Sequence, residues 1–241
     1  MIDGSVEIEW HGVRLVLLPD RAVWLPEERA VLVADVHLGK PASFRSMGVP
    51  VPEAVTAGDL GRLTGLAQAT GCERLIVLGD LIHDSAALRD RTRDAVLAWR
   101  GSLSEVAVDL IPGNHDRKAR SCEPLGVGVL AESAAVGGLV LTHEPPVGGD
   151  VPTLCGHVHP VVSIGGARSP ARVRSACFWF EGAVGILPAF GGFTGGRAMR
   201  VHDGVGAFAA GDRAVIPVTG LGDSWVRAGG SSSGRPAYDR A

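Results

Sequence analysis

The feature that most constrains this chain is where its carboxylate, imidazole and amide side chains fall. Five short motifs occur in order, most of them directly after an apolar, strand-like run. They are Asp35-Val36-His37, Gly79-Asp80, Gly113-Asn114-His115-Asp116, Thr142-His143 and Gly156-His157-Val158-His159. Six of the eight histidines (His37, His83, His115, His143, His157 and His159) lie in or beside these positions. Taken singly, each motif has an ordinary structural reading, Gly-Asp as a turn or Gly-Asn-His-Asp as an Asx-stabilised turn. Independent core or surface histidines, however, have no reason to line up at strand ends. A fold that satisfies the whole pattern ends several strands on one rim, as open α/β sheets do at their strand carboxyl ends. In an extended chain residues i and i+2 point to the same side, so Asp35 and His37 can reach one ion together, as can His157 and His159. The glycines let the backbone turn sharply beside them.

The donor types say what such a rim would hold. Carboxylate, imidazole and amide oxygen together suit Mn²⁺, Fe or Zn²⁺, and no thiolate cluster offers a structural zinc site. The four cysteines (Cys72, Cys122, Cys155 and Cys177) are scattered without a CxxC pair, as in a reduced cytosolic protein rather than a disulfide scaffold. Six or seven such ligands exceed one catalytic ion and match two. A carboxylate bridging two ions about 3.5–4 Å apart activates one oxygen nucleophile while clamping a phosphate.

The rest of the chain reads as an α/β fold. Apolar runs at 13–18, 30–34, 74–78, 106–111, 139–141 and 184–187 have the length and composition of buried strands. Helical spacing marks 53–69, with Leu60, Leu63 and Ala67 on one face, and 86–100, with Leu88, Ala95, Val96 and Trp99 inward. Strand and helix therefore alternate in the first half, as a largely parallel sheet would. From Leu139 onward, Gly, Pro and Ser turns separate the strands and predict a second sheet with short connections. One domain over 1–218 and a Gly/Ser-rich flexible tail over 219–241 are expected. The net charge of −3 gives no global basic footprint for nucleic acid. The N-terminal stretch carries acidic residues where a signal peptide is positive. No apolar run approaches the roughly 20 residues of a membrane helix. The expectation is a soluble, cytoplasmic protein.

The motif order Asp-x-His, Gly-Asp, Gly-Asn-His-Asp, His, Gly-His-x-His resembles the calcineurin-like metallophosphoesterases over residues 31–196. The resemblance implies a four-layer α-β-β-α sandwich of two packed mixed sheets. It implies one ion held by Asp35, His37, Asp80 and His159, and a second by Asp80, Asn114, His143 and His157, with Asp80 as bridge. Mn²⁺ is the first expectation, with Fe or Zn²⁺ as alternatives. His115 would protonate the leaving oxygen and Asp116 would orient its ring. The stretch His37-Leu38-Gly39-Lys40-Pro41-Ala42-Ser43-Phe44-Arg45 is similar to a bacterial subgroup of phosphoesterases or endonucleases found with a DNA ligase and a helicase. So are Gly48-Val49-Pro50-Val51-Pro52 and Phe190-Gly191-Gly192-Phe193-Thr194-Gly195-Gly196. That implies a nucleic-acid substrate and DNA repair.

Around these motifs, His83 is a candidate pocket residue. Arg45, Arg117, Lys118 and Arg120 are candidate phosphate contacts. Cys155 reads as packing, and His11 and His202 as structural. A small phosphoester (cyclic nucleotide, nucleotide conjugate or phosphomonoester) is the competing substrate class within the same chemistry. A binding scaffold on the same fold is the non-enzymatic alternative, which a complete ligand set together with His115 argues against.

Overall fold

A computed structural model describes residues 2–52, 54–83, 91–116, 122–148, 150–165 and 172–218. The 219–241 tail, Leu88 and the cations Arg117, Lys118 and Arg120 lie outside the described residues.

The first sheet begins as an antiparallel meander and turns parallel at its centre. β1 (Val6–Trp10), β2 (Val13–Leu18), β3 (Ala22–Leu25) and β4 (Ala30–Val33) pair antiparallel in order. The β1–β2 loop is just His11-Gly12, both with positive φ (49° and 77°), the signature of a type I′ hairpin turn. Parallel pairing then continues through β5 (Arg74–Leu78), β6 (Ala107–Ile111) and β7 (Gly128–Val129). The expected largely parallel sheet is thus mixed, because three short turns hold the first strands side by side before any helix intervenes.

Alternation along these strands sorts their side chains into two cores. Val31, Val33, Leu75, Val77, Val108 and Leu110 point to one face, against Leu60, Leu63, Leu66 and Ala67 of α2 (Ala54–Thr70) and Val96 and Trp99 of α3 (Arg91–Ser102). Their neighbours Ala30, Leu32, Ile76, Leu78 and Ile111 point to the other, against Phe178, Phe180 and Phe208 of the second sheet. Each fully buried aromatic of this kind contributes about 1.5–3 kcal/mol of transfer free energy. A further helix, α1 (Lys40–Ser46), follows β4; Gly39 caps it at φ 83° and Pro41 sits in its first turn, where no N–H is needed.

The second sheet holds β8 (Ser133–Val136), β9 (Leu139–Thr142), β10 (Thr153–Cys155), β11 (Pro160–Ile164), β12 (Val173–Glu181), β13 (Val184–Ile186), β14 (Arg197–Ala198), β15 (Val205–Ala210) and β16 (Val215–Pro217). Its order is β14-β11-β12-β13-β10-β9-β8, with β15 bridging β12 and β16. A third apolar cluster, including Cys177, Trp179 and Ala207, lies on the outer face of this sheet, and none of its residues is helical. Two packed mixed sheets are therefore present as expected. Among the described residues, the helices that take part in a core pack on the first sheet, so the fourth, helical layer is not seen there. All four cysteines are free and buried. Burial pushes the Cys122, Cys155 and Cys177 thiols up to about 12, so these sulfurs are protonated packing groups rather than ligands. No described helix is long and apolar enough to cross a membrane.

Candidate metal centre

The central strands end on one rim. Asp35 and His37 follow β4, Asp80 follows β5, and Asn114 and His115 follow β6; His143 follows β9, and His157 and His159 follow β10. Both sheets therefore contribute. The local conformation is not the extended one anticipated. Asp35, His37, Asp80, His157 and His159 all have φ between 50° and 67°, the left-handed region that non-glycine residues rarely adopt. Such residues cost about 1–3 kcal/mol each and persist where the surroundings fix them. Here the surroundings are other ligand loops: Asp35 N–H donates to the Gly79 carbonyl (3.1 Å) and His37 N–H to the Asp80 carbonyl (2.8 Å). Gly156 N–H donates to the His143 carbonyl at 3.0 Å. The side chains converge because the loops are stitched together, not because of strand alternation.

The motif glycines are required by close approach. A Cβ on Gly79, at φ 78°, would stand 2.0 Å from the His143 ring, and one on Gly113 would stand 2.2 Å from Asp80 Oδ1.

The ligand atoms form compact groups. Those of Asp35, His37 and His159 lie within 4.8 Å of one another, as do those of Asp35, Asp80 and His143. Asn114 Oδ1 and His157 Nδ1 each approach His143 Nε2 to 3.1 Å. His143 Nδ1 is 3.0 Å from the Leu78 carbonyl, to which it donates. In the neutral ring Nε2 therefore presents a lone pair, facing the lone pairs of the Asn114 amide oxygen with no proton between them. A cation resolves that opposition. Both ring nitrogens of His37 are buried with no hydrogen-bond partner, and buried Asp35 Oδ1 faces His159 Nε2 at 3.0 Å. Burial, followed by repulsion from Lys40 and the neighbouring imidazoles, pushes the His37 pKa down to about 2, so the ring is neutral. Buried carboxylates and unprotonated imidazoles without partners are the donor set of divalent transition ions. The residues present fit such ions.

The remaining residues sort differently from the sequence expectation. Asp116 does not face the His115 ring. Its carboxylate accepts the N–H groups of Asp80 (2.6 Å), Ile82 (3.1 Å) and Gly113 (2.9 Å), clamping two ligand loops together. Burial, with the nearby Asp80 charge, holds this carboxyl above its ordinary range despite those bonds. His115 is oriented instead by the His83 carbonyl, 2.6 Å from its Nδ1, and the His83 ring stacks on it with centroids 5.0 Å apart. Spacing alone could not distinguish the two partners. Arg45 donates to the Val51 carbonyl at 3.1 Å, closing the turn after α1. It makes no contact with the cluster among the described residues. His11 meets the Gly182 carbonyl (3.1 Å) and His202 meets Glu181 (3.4 Å), away from the cluster. Lys40 was left without a role by the sequence; it is half-buried, and burial lowers its pKa despite the nearby charges of Asp35 and Asp80.

The 190–196 loop is fixed to the rim by α2. Phe190 N–H donates to the Ala34 carbonyl (2.8 Å) and Gly191 N–H to the Asp35 carbonyl (3.2 Å). Asp59, only 6% exposed, accepts the Gly192 N–H at 3.0 Å and Arg62 Nη1 at 3.3 Å. Asp59→Ala leaves that N–H unsatisfied and is expected to cost about 2 kcal/mol, lowering Tm by roughly 4–8 °C for a domain of this size. Asp59→Asn, which keeps an acceptor, loses less; thermal denaturation followed by circular dichroism measures both.

A scan against protein-family models gives no match, and neither does a search of curated proteins. Solved structures do match. The Pseudomonas putida nuclease MPE is 39% identical, with a TM-score of 0.76 over 88% of this chain and 99% of that chain. YfcE, a phosphoesterase from E. coli, is 14% identical with a TM-score of 0.38, covering 78% of this chain and 96% of that one. With 39% identity over nearly the full length of the first of these, and a rim of Asp, His and Asn built for divalent ions, the chain belongs to the metallophosphoesterase family of metal-dependent phosphoric ester hydrolases.

Proposed function

We propose that this protein hydrolyses phosphodiester bonds in nucleic acid, as an endonuclease of DNA repair working in the cytoplasm. The observation that carries the reading is the 39% identity to a nuclease, in a chain that gathers buried Asp35, His37, Asp80 and His143 on one rim. We assign one ion to Asp35, His37, Asp80 and His159 and the other to Asp80, Asn114, His143 and His157, with Mn²⁺ the first candidate. Bound ions of this kind neutralise phosphate charge and acidify a bound water. The association with a DNA ligase and a helicase belongs to the same proposal and rests on sequence resemblance alone.

The chain's own residues prepare the rest. The His83 carbonyl keeps a proton on His115 Nδ1, so Nε2 is the atom that exchanges protons with the substrate. Asp80 Oδ2 lies 3.9 Å from that Nε2. The side chain is 34% exposed and within reach of a leaving oxygen. We therefore assign His115 as the general acid. Asp116 keeps Asp80 and Gly113 in place.

The test is a panel with added Mn²⁺: single-stranded and duplex DNA, RNA, bis-p-nitrophenyl phosphate and p-nitrophenyl phosphate. Cleavage of oligonucleotides together with the diester is expected. Rapid turnover of the monoester with no oligonucleotide cut overturns the nucleic-acid reading in favour of a small phosphoester.

A further inference from the structure

Beside the cluster, on the His159 side, lies an open pocket of about 490 Å³ walled by β11, β12 and the 190–196 loop. It has the size of a small-ligand site. Arg21, Arg174 and Thr194 line it, and no carboxylate does among the described residues. Arg21 Nη1 donates to the Ala189 carbonyl and Arg174 Nη2 to the Gly196 carbonyl, each at 3.2 Å. Neither guanidinium makes an ion pair among the described residues, although Asp59, Asp212 and Asp20 act on Arg21 from a distance and Arg62 opposes them. A guanidinium has five N–H donors, so each fork is oriented by a carbonyl with donors left over. Thr194 Oγ1 is buried in the same wall with no hydrogen-bond partner. Two steered arginine forks and an unsatisfied hydroxyl, in a pocket that no described acid lines, are complementary to a phosphate.

We propose that this pocket binds a second phosphate of the substrate, the backbone phosphate next to the one that is cut. The proposal rests on the nucleic-acid reading above and deepens it. His159 stands at the junction: its Nε2 is 3.0 Å from Asp35 Oδ1 in the metal cluster, and it also lines the pocket. The scissile group and its neighbour therefore have adjoining places, one at the ions and one at the arginines. This cationic wall is separate from Arg45, whose guanidinium closes its own turn. In a chain of net charge −3 it concentrates positive charge where a polyanion must lie.

The experiment uses the Mn²⁺-loaded enzyme and chromogenic diesters that differ by one phosphate. They are p-nitrophenyl thymidine 5′-phosphate with and without a 3′-phosphate, and p-nitrophenyl thymidine 3′-phosphate with and without a 5′-phosphate. In the wild type, one of the two added phosphates is expected to raise kcat/KM about tenfold, the effect of one charged hydrogen bond. Arg174→Ala, at an exposed position, is expected to bring that gain close to one, and Arg174→Lys to restore part of it. Arg29→Ala, the same charge change at the opposite end of β4, keeps the gain; this excludes a general charge effect. Melting curves confirm that each variant is folded. No gain from either phosphate in the wild type, or an undiminished gain in Arg174→Ala, overturns the subsite. If the wild type cuts oligonucleotides while showing no such gain, the subsite alone fails. If it cuts none and hydrolyses only the monoester, the nucleic-acid reading fails and takes the subsite with it.

Discussion

Asp80→Ala is expected to abolish both metal binding and turnover, lowering kcat/KM by about 10⁴-fold or more. The figure corresponds to losing the several kcal/mol that metal-borne charge supplies to phosphoryl transfer, at 1.36 kcal/mol per tenfold. Asp80 is 3% exposed and central. Its Oδ1 accepts the His115 N–H at 3.0 Å and lies 3.6 Å from His143 Nε2, while Oδ2 is 3.9 Å from His37 Nε2. Asp80→Asn separates charge from shape: asparagine tolerates the left-handed backbone and its amide oxygen still accepts the His115 N–H, but the negative charge is gone. Both variants are expected to stay folded without metal, because the lost charge lies close to that of Asp116. Elemental analysis after reloading with Mn²⁺ decides the matter. The wild type should hold two ions per chain and the Asn variant at most one, weakly; two retained ions in the Asn variant would disprove the bridge.

His115→Ala is expected to keep the metals and lose about 10²–10⁴-fold in turnover, the range for a positioned proton donor. The loss should depend on the leaving group. A nucleoside alkoxide needs the proton, whereas p-nitrophenolate leaves without it. Steady-state kinetics on an oligonucleotide and on bis-p-nitrophenyl phosphate read this directly, and equal losses on both would count against a general acid. His83 acts on the same ring through its carbonyl and its stacked imidazole. His83→Ala keeps the carbonyl, so a smaller loss is expected there, of the order of a lost ring contact.

Much of this was legible because strand ends and donor types are local properties. The runs at 13–18 and 74–78 are strands with those bounds, and α2 spans Ala54–Thr70 where periodicity placed 53–69. What was not legible depends on contacts between distant segments. Left-handed φ at Asp35 and His37 is held by N–H groups that donate to the Gly79 and Asp80 carbonyls, and at Asp80 and His157 by N–H groups that donate to the Asp116 and Asp35 carboxylates. The direction in which Asp116 turns is set by three backbone donors, two of them more than thirty residues away. α1 has seven residues, too few to show a period. The Arg21 and Arg174 wall joins a turn after β2 to a strand of the other sheet, and no spacing rule connects them.

The division of ligands between the two sheets bears on how the protein is made. Asp35, His37, Asp80 and Asn114 leave the ribosome well before His143, His157 and His159. A nascent chain that stops at the first sheet has three of the four ligands assigned to one ion and two of the four assigned to the other, and exposes the apolar face that later meets Phe178, Phe180 and Phe208. Tight ion capture therefore awaits docking of the second sheet, and the ions act as a late lock on a chain that has already collapsed. Because they bind the native form, they stabilise it by mass action with free metal concentration. Starving a cell of the metal would then deplete the finished protein as well as silence it, since the unlocked form is the one that quality-control proteases meet.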